Sequence, residues 1–202
     1  MRTLIVCIAV AGALGAQSVR LDAAFFEGDR KVVLRELADR LKVAKADDAS
    51  VLAEVGRAYL AVLEGEKGRA ALQAAEARGP KDGEVLRLVA HAWLRNGHKA
   101  EALQAYEQVL RRAPKDEDAL ADCAVDLAEA GLLAEAERYM QAVRALEPDG
   151  WRHFLRFGRA CLVAGQRKAA AAWFGRVMDL KPGEEKVQLE ILRAYTDLQS
   201  LI

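Results

Sequence analysis

GEVLRLVAHAWLRNGHKAEALQAYEQVLRRAPKD, residues 83–116, contains two apolar-periodic stretches and one of only four prolines in the chain. Leu86, Val89, Ala90 and Trp93 are spaced three, one and three residues apart; Ala102, Tyr106 and Val109 follow at intervals of four and three. Each set lies on one face of a helix. Gly97 stands between them, a residue free to adopt positive φ and end the first helix. Pro114 cannot continue the second helix and marks the reversal into whatever follows.

The same arrangement recurs on both sides. Pro80, Pro114, Pro148 and Pro182 are each 34 residues from the next, and Gly97, Gly131 and Gly165 keep that step. A fixed period of this size signals a stacked array of supersecondary units. In register, the units are 49–82, 83–116, 117–150 and 151–184. Their first stretches carry Leu52-Val55-Gly56-Tyr59, Leu120-Cys123-Ala124-Leu127 and Phe154-Phe157-Gly158-Cys161 beside the set already quoted. Gly56, Ala90, Ala124 and Gly158 are small where a neighbouring helix approaches, and bulky residues on either side fill the flanking grooves. The first unit places Gly65 two positions later than the others place their mid-unit glycine, so its turn is expected to be irregular.

Composition agrees. Forty Ala and 27 Leu stand against 23 Ile, Val and Thr together, which favours helices over strands. Thirty basic and thirty acidic side chains cancel, so no global charge draws the chain to nucleic acid or an anionic membrane. Serine occurs only at positions 18, 50 and 200, which leaves little from which to build a serine nucleophile.

On these residues the chain resembles the tetratricopeptide repeat family, with its 34-residue pattern of large, large, small and aromatic, then small, aromatic and proline. Leu127 and Cys161 depart from the usual aromatic. The resemblance implies an all-α fold, a right-handed superhelical solenoid of helix-turn-helix repeats whose first helices line a concave wall. In this family that groove binds a partner's peptide or helix.

The ends are degenerate. Residues 17–48 read as an N-terminal helix pair, with a first helix near 18–27 carrying Leu21, Phe25 and Phe26, and a second carrying Val33, Leu37 and Leu41 one residue out of phase. Residues 185–202 read as a lone capping helix with Ile191, Leu192 and Tyr195 in first-helix register. Ahead of these, Arg2 and the uncharged run Leu4–Leu14, followed by Gly15 and Ala16, have the form of a secretory signal peptide over 1–16. Eleven apolar residues are too few for a transmembrane span. The expected location is therefore periplasmic or secreted, with no integral membrane span.

Wall positions lie between the core positions of each first helix. One register gives Arg57, His91, Val125, Arg159 and Arg193; a turn earlier or later come Arg87, Arg95, Arg152 and Arg156. Glu54, Asp118, Asp122 and Glu129 interrupt them. A basic lining with an acidic centre points to a protein or peptide ligand carrying carboxylates, which arginine grips with two parallel donors. Ordinary solvated helix faces, with each arginine paired to a nearby acid, would give the same pattern. The chaperone-tail binders of this family use asparagines where this chain has Arg57, His91, Val125 and Arg159, so that mode is not supported. Self-association through exposed apolar residues such as Leu201 and Ile202 is the alternative role.

No catalytic constellation emerges, and no cofactor or metal is expected. His91, His98 and His153 lack an acidic pair at ligand spacing, and the Gly79–Gly83 stretch is an inter-repeat turn, not a phosphate loop. Cys123 and Cys161 fall at core positions on adjacent first helices, whose axes stand about 8–10 Å apart, too far for an easy disulfide.

Overall fold

The computed structural model describes residues 26–199. Within them the chain is an all-α repeat solenoid. Helix α1 spans Arg30–Ala44, and four helix pairs follow: α2 Ala49–Ala61 with α3 Gly65–Arg78, α4 Gly83–Arg95 with α5 Lys99–Arg112, α6 Glu117–Glu129 with α7 Leu133–Leu146, and α8 Trp151–Val163 with α9 Arg167–Leu180. Helix α10, Glu185–Gln199, is the last described. Each helix packs mainly on its pair-mate, and successive first helices α2, α4, α6, α8 and α10 lean on one another. The second helices touch the next first helix instead, which leaves the first helices as a continuous inner wall.

Local chemistry sets the boundaries. Asp48, Asp82 and Asp116 each accept a hydrogen bond from the backbone N–H three residues on, at 3.1, 3.1 and 3.0 Å, and so cap α2, α4 and α6. Gly97, Gly131 and Gly165 take φ of 82°, 76° and 75° between the helices of their pairs. The first pair does the same without glycine: Leu63 sits at φ 66°. Its amide bonds Leu60 O and the next amide bonds Tyr59 O, the pattern seen at Gly97, Gly131 and Gly165. The expected irregular turn is therefore a regular one with a leucine in the strained position. Gly65 merely opens α3.

The core is one apolar stripe along the stack, and no polar or charged residue among those described is fully buried. Close approach explains the small positions. A Cβ on Gly56 would lie 2.6 Å from Leu72 and 3.1 Å from the Gly68 carbonyl, and one on Gly158 would lie 2.7 Å from the Phe174 ring. The missing aromatics at Leu127 and Cys161 are supplied from the second helix. Tyr139 and Trp173 are buried where the first two pairs have Ala71 and Ala105, and those pairs keep their aromatic on the first helix as Tyr59 and Trp93.

At the N-terminus the core expectations for Phe26 and Leu41 need correction. The second helix starts at Arg30, capped by Asp29, and buries Ala38; Leu41 is 44% exposed and Phe26 is 54% exposed. At the other end Leu192 is 58% exposed and Tyr195 is also exposed. Leu21, Phe25, Leu201, Ile202 and the signal-like stretch 1–16 lie outside the described residues. No described helix is long and apolar enough to cross a membrane.

Candidate binding wall

Ion pairs tie most of the wall together. On α2, Arg57 bonds Glu54 one turn back at 2.8 Å. On α4, Arg87 bonds Glu84 through two nitrogens, both at 2.8 Å, and crosses to Asp126 of α6 at 2.9 Å. Its guanidinium is held even more firmly protonated than usual, first by the Glu84 hydrogen bonds and then by Asp126, against the cost of burial. Arg156 of α8 bonds Asp122 of α6. Arg159 of α8 and Arg193 of α10 share a single carboxylate, Glu190, at 3.5 and 3.2 Å. Among the described residues Arg95 makes no ion pair, and Arg152 lies over the Trp151 ring at 4.7 Å from its centre. Apart from Arg95 and Arg152, the basic lining is thus largely neutralised by acids of the wall itself, and Arg159 and Arg193 have one carboxylate between them.

His91 is half-buried, with Nδ1 3.1 Å from Asp126. Beside it on the wall stand Leu88, Leu94 and Val125, half-buried and apolar. His153 lies at the edge of α8, 3.2 Å from Glu147 and 3.7 Å from Asp118. His98 stands at the start of α5 with its ring edge-on to Trp93. The three histidines do not converge. No group of three or more His, Cys, Asp or Glu among the described residues is arranged to hold a metal ion. Cys123 and Cys161 are free and buried; burial pushes the Cys161 thiol up to about 11 and raises the Cys123 thiol well above its ordinary value.

Sequence reasoning missed Asp126. It is nearly buried and accepts from Arg87 and from the Tyr106 hydroxyl, the latter at 3.3 Å, with His91 alongside. Burial and this neighbouring carboxylate together keep the Tyr106 phenol protonated far above the usual range. A signal was present: the equivalent residues one, two and more periods away, Ala58, Ala92, Ala160 and Ala194, are all alanine. Also unforeseen is a cleft on the outer side between α3 and α5, floored by Leu72, Val89 and Trp93 and bridged by an Arg112–Glu76 pair at 2.9 Å.

The chain matches the family model described as tetratricopeptide repeat over residues 55–117 and 124–185. Among solved structures it is similar to MamA, at 16% identity and a TM-score of 0.46, over 83% of this chain and 99% of that one. It is also similar to YrrB, described as a TPR protein with an unusual peptide-binding site, at 17% identity and a TM-score of 0.46, over 82% of this chain and 83% of that one. No curated protein matches.

Proposed function

This chain belongs to the tetratricopeptide repeat family, and from that premise we propose that it is an exported, non-enzymatic scaffold that captures a segment of a partner protein along its first-helix wall. The reading extends to assembly or secretion complexes of a bacterial envelope. The observation that carries it is the Arg159–Glu190–Arg193 cluster: two guanidinium groups, 43% and 63% exposed, divide one carboxylate between them. A partner carboxylate would supply the second acceptor, and bidentate contacts of that kind are short and directional. The half-buried Leu88, Leu94 and Val125 offer apolar area further along the wall, on α4 and α6, for the rest of the segment. Export is supported by the form of residues 1–16 alone.

A photoreactive residue at position 91 or 125, activated in cells and followed by mass spectrometry, is expected to yield defined partner adducts. Reversing charge at Arg57, Arg159 and Arg193 together is expected to remove those adducts while leaving the helical circular dichroism intact. Undiminished adducts from a folded triple variant would defeat the proposal. The amino terminus of the recovered protein tests export, which predicts cleavage near residues 15–16.

One feature favours self-association as a second reading. Helix α10 presents Leu189, Leu192 and Tyr195 to solvent. Light scattering across a concentration series separates the two, since a strictly monomeric chain counts against self-assembly.

A further inference from the structure

Arg87 and Asp126 are 39 residues apart, on consecutive first helices, and touch across the boundary between them. The same step of 39 joins Ala53 to Ala92, Ala121 to Ala160, and Leu155 to Ala194, and all six of these residues are buried. Where both partners are alanine, the first helices lie close: α2 against α4 and α6 against α8. At α4 and α6, where the step joins arginine to aspartate, the packing is looser, as it is at α8 and α10, where leucine replaces one alanine. Side-chain size at a helix contact sets interaxial distance within a range of about 8–10 Å. A guanidinium–carboxylate pair, further held by Glu84, Asp122 and the Tyr106 hydroxyl, needs more room than two methyl groups.

We infer that the Arg87–Asp126 pair is a built-in spacer that holds α4 and α6 apart and thereby opens the inner wall at its middle. The pair does so by occupying the one first-helix boundary where neither side offers the alanine contact. Its consequence is a local change of curvature, with the half-buried Leu88, His91 and Val125 flanking the widened boundary. The inference concerns the shape of the wall and holds whether or not the wall binds a carboxylate-bearing partner.

The test uses nitroxide labels on exposed wall positions. Ala61 of α2 with Glu129 of α6 spans the α4–α6 boundary, and Glu129 with Arg193 of α10 does not. Labels go on introduced cysteines in a Cys7→Ser background, Cys123 and Cys161 being buried. Replacing the pair by R87A/D126A, to copy Ala53 with Ala92 and Ala121 with Ala160, is expected to shorten the 61–129 distance by about 1–2 Å. The 129–193 distance should stay where it is. Adding Tyr106→Phe keeps the variant free of a phenol without its acceptor and serves if the pair replacement alone fails to fold. A charge-swapped R87D/D126R chain, which preserves bulk, should keep the parent distance. An unchanged 61–129 distance in the folded alanine variant, or an equal change at 129–193, would overturn the inference.

Discussion

Leu63 and the three glycines equivalent to it do one backbone job at different cost. All four end a first helix in the left-handed region, with φ between 66° and 82°. A Cβ there crowds the following carbonyl and costs about 1–2 kcal/mol. Leucine recovers nothing by burial, since its side chain is 82% exposed. Glycine would remove the strain but enlarge the freedom of the unfolded chain, worth about 0.4–1 kcal/mol in the opposite direction. Leu63→Gly is therefore expected to stabilise by roughly 0.5–1 kcal/mol, read as a higher midpoint in urea at unchanged slope. A lower midpoint would show that the exposed leucine makes a contact the strain argument neglects. Residues 56 and 158 are small for a different reason, close packing and not conformation: their φ is ordinary, and a neighbouring side chain occupies the space a Cβ would take.

Single helices show how volume moves without loss of fold. The aromatic that fills each pair sits on the first helix in α2 and α4, as Tyr59 and Trp93, and on the second in α7 and α9, as Tyr139 and Trp173. Such exchanges are tolerated because a core needs the right total volume more than a fixed donor of it. Helix α10 has a different task. It buries Val187 and Ala194 against the last pair and lays Tyr195 beside Phe174, with ring centres 5.8 Å apart. Leu192 occupies the place of Gly158 and Ala124, where its side chain would obstruct a close second helix. A chain ending at Gly183 should expose the α8 and α9 surfaces now covered. We expect it to be markedly less soluble and to melt several degrees lower than the full chain; equal solubility and melting would remove the capping role from α10.

Across the whole molecule, stability is distributed by position in the stack, because each pair is supported only by its neighbours. Interior pairs are covered on both sides, whereas α1 buries a single residue, Ala38. Amide hydrogen exchange is expected to be slowest in α6, α7 and α8 and fastest in α1 and α10. A flat exchange profile would mean that the stack opens only as one unit. Charge is also distributed unevenly: residues 117–150 hold nine acids against two bases, and 151–184 hold seven bases against two acids. Neighbouring units of opposite sign attract, and the Arg156–Asp122 bond is one local expression of that.

How much of this was legible beforehand follows from which interactions are local. The helices, their pairing and their turns were readable from a 34-residue period, because proline, glycine and 3.6-residue periodicity act within a few residues of themselves. The wall positions of Arg57, His91, Arg159 and Arg193 followed from the same period. Their electrostatic state did not, because Arg87 and Asp126, or Arg159 and Glu190, meet only when residues 39 and 31 apart are brought side by side. Nor could the period reveal that Leu63 adopts a glycine's conformation, since the packed helices on either side impose it. Chain chemistry by itself determined a stack of helical hairpins. Tertiary packing decided which charges are spent on one another, which remain open to a partner, and how far apart the first helices stand, because contact geometry and desolvation arise only once distant segments share a surface.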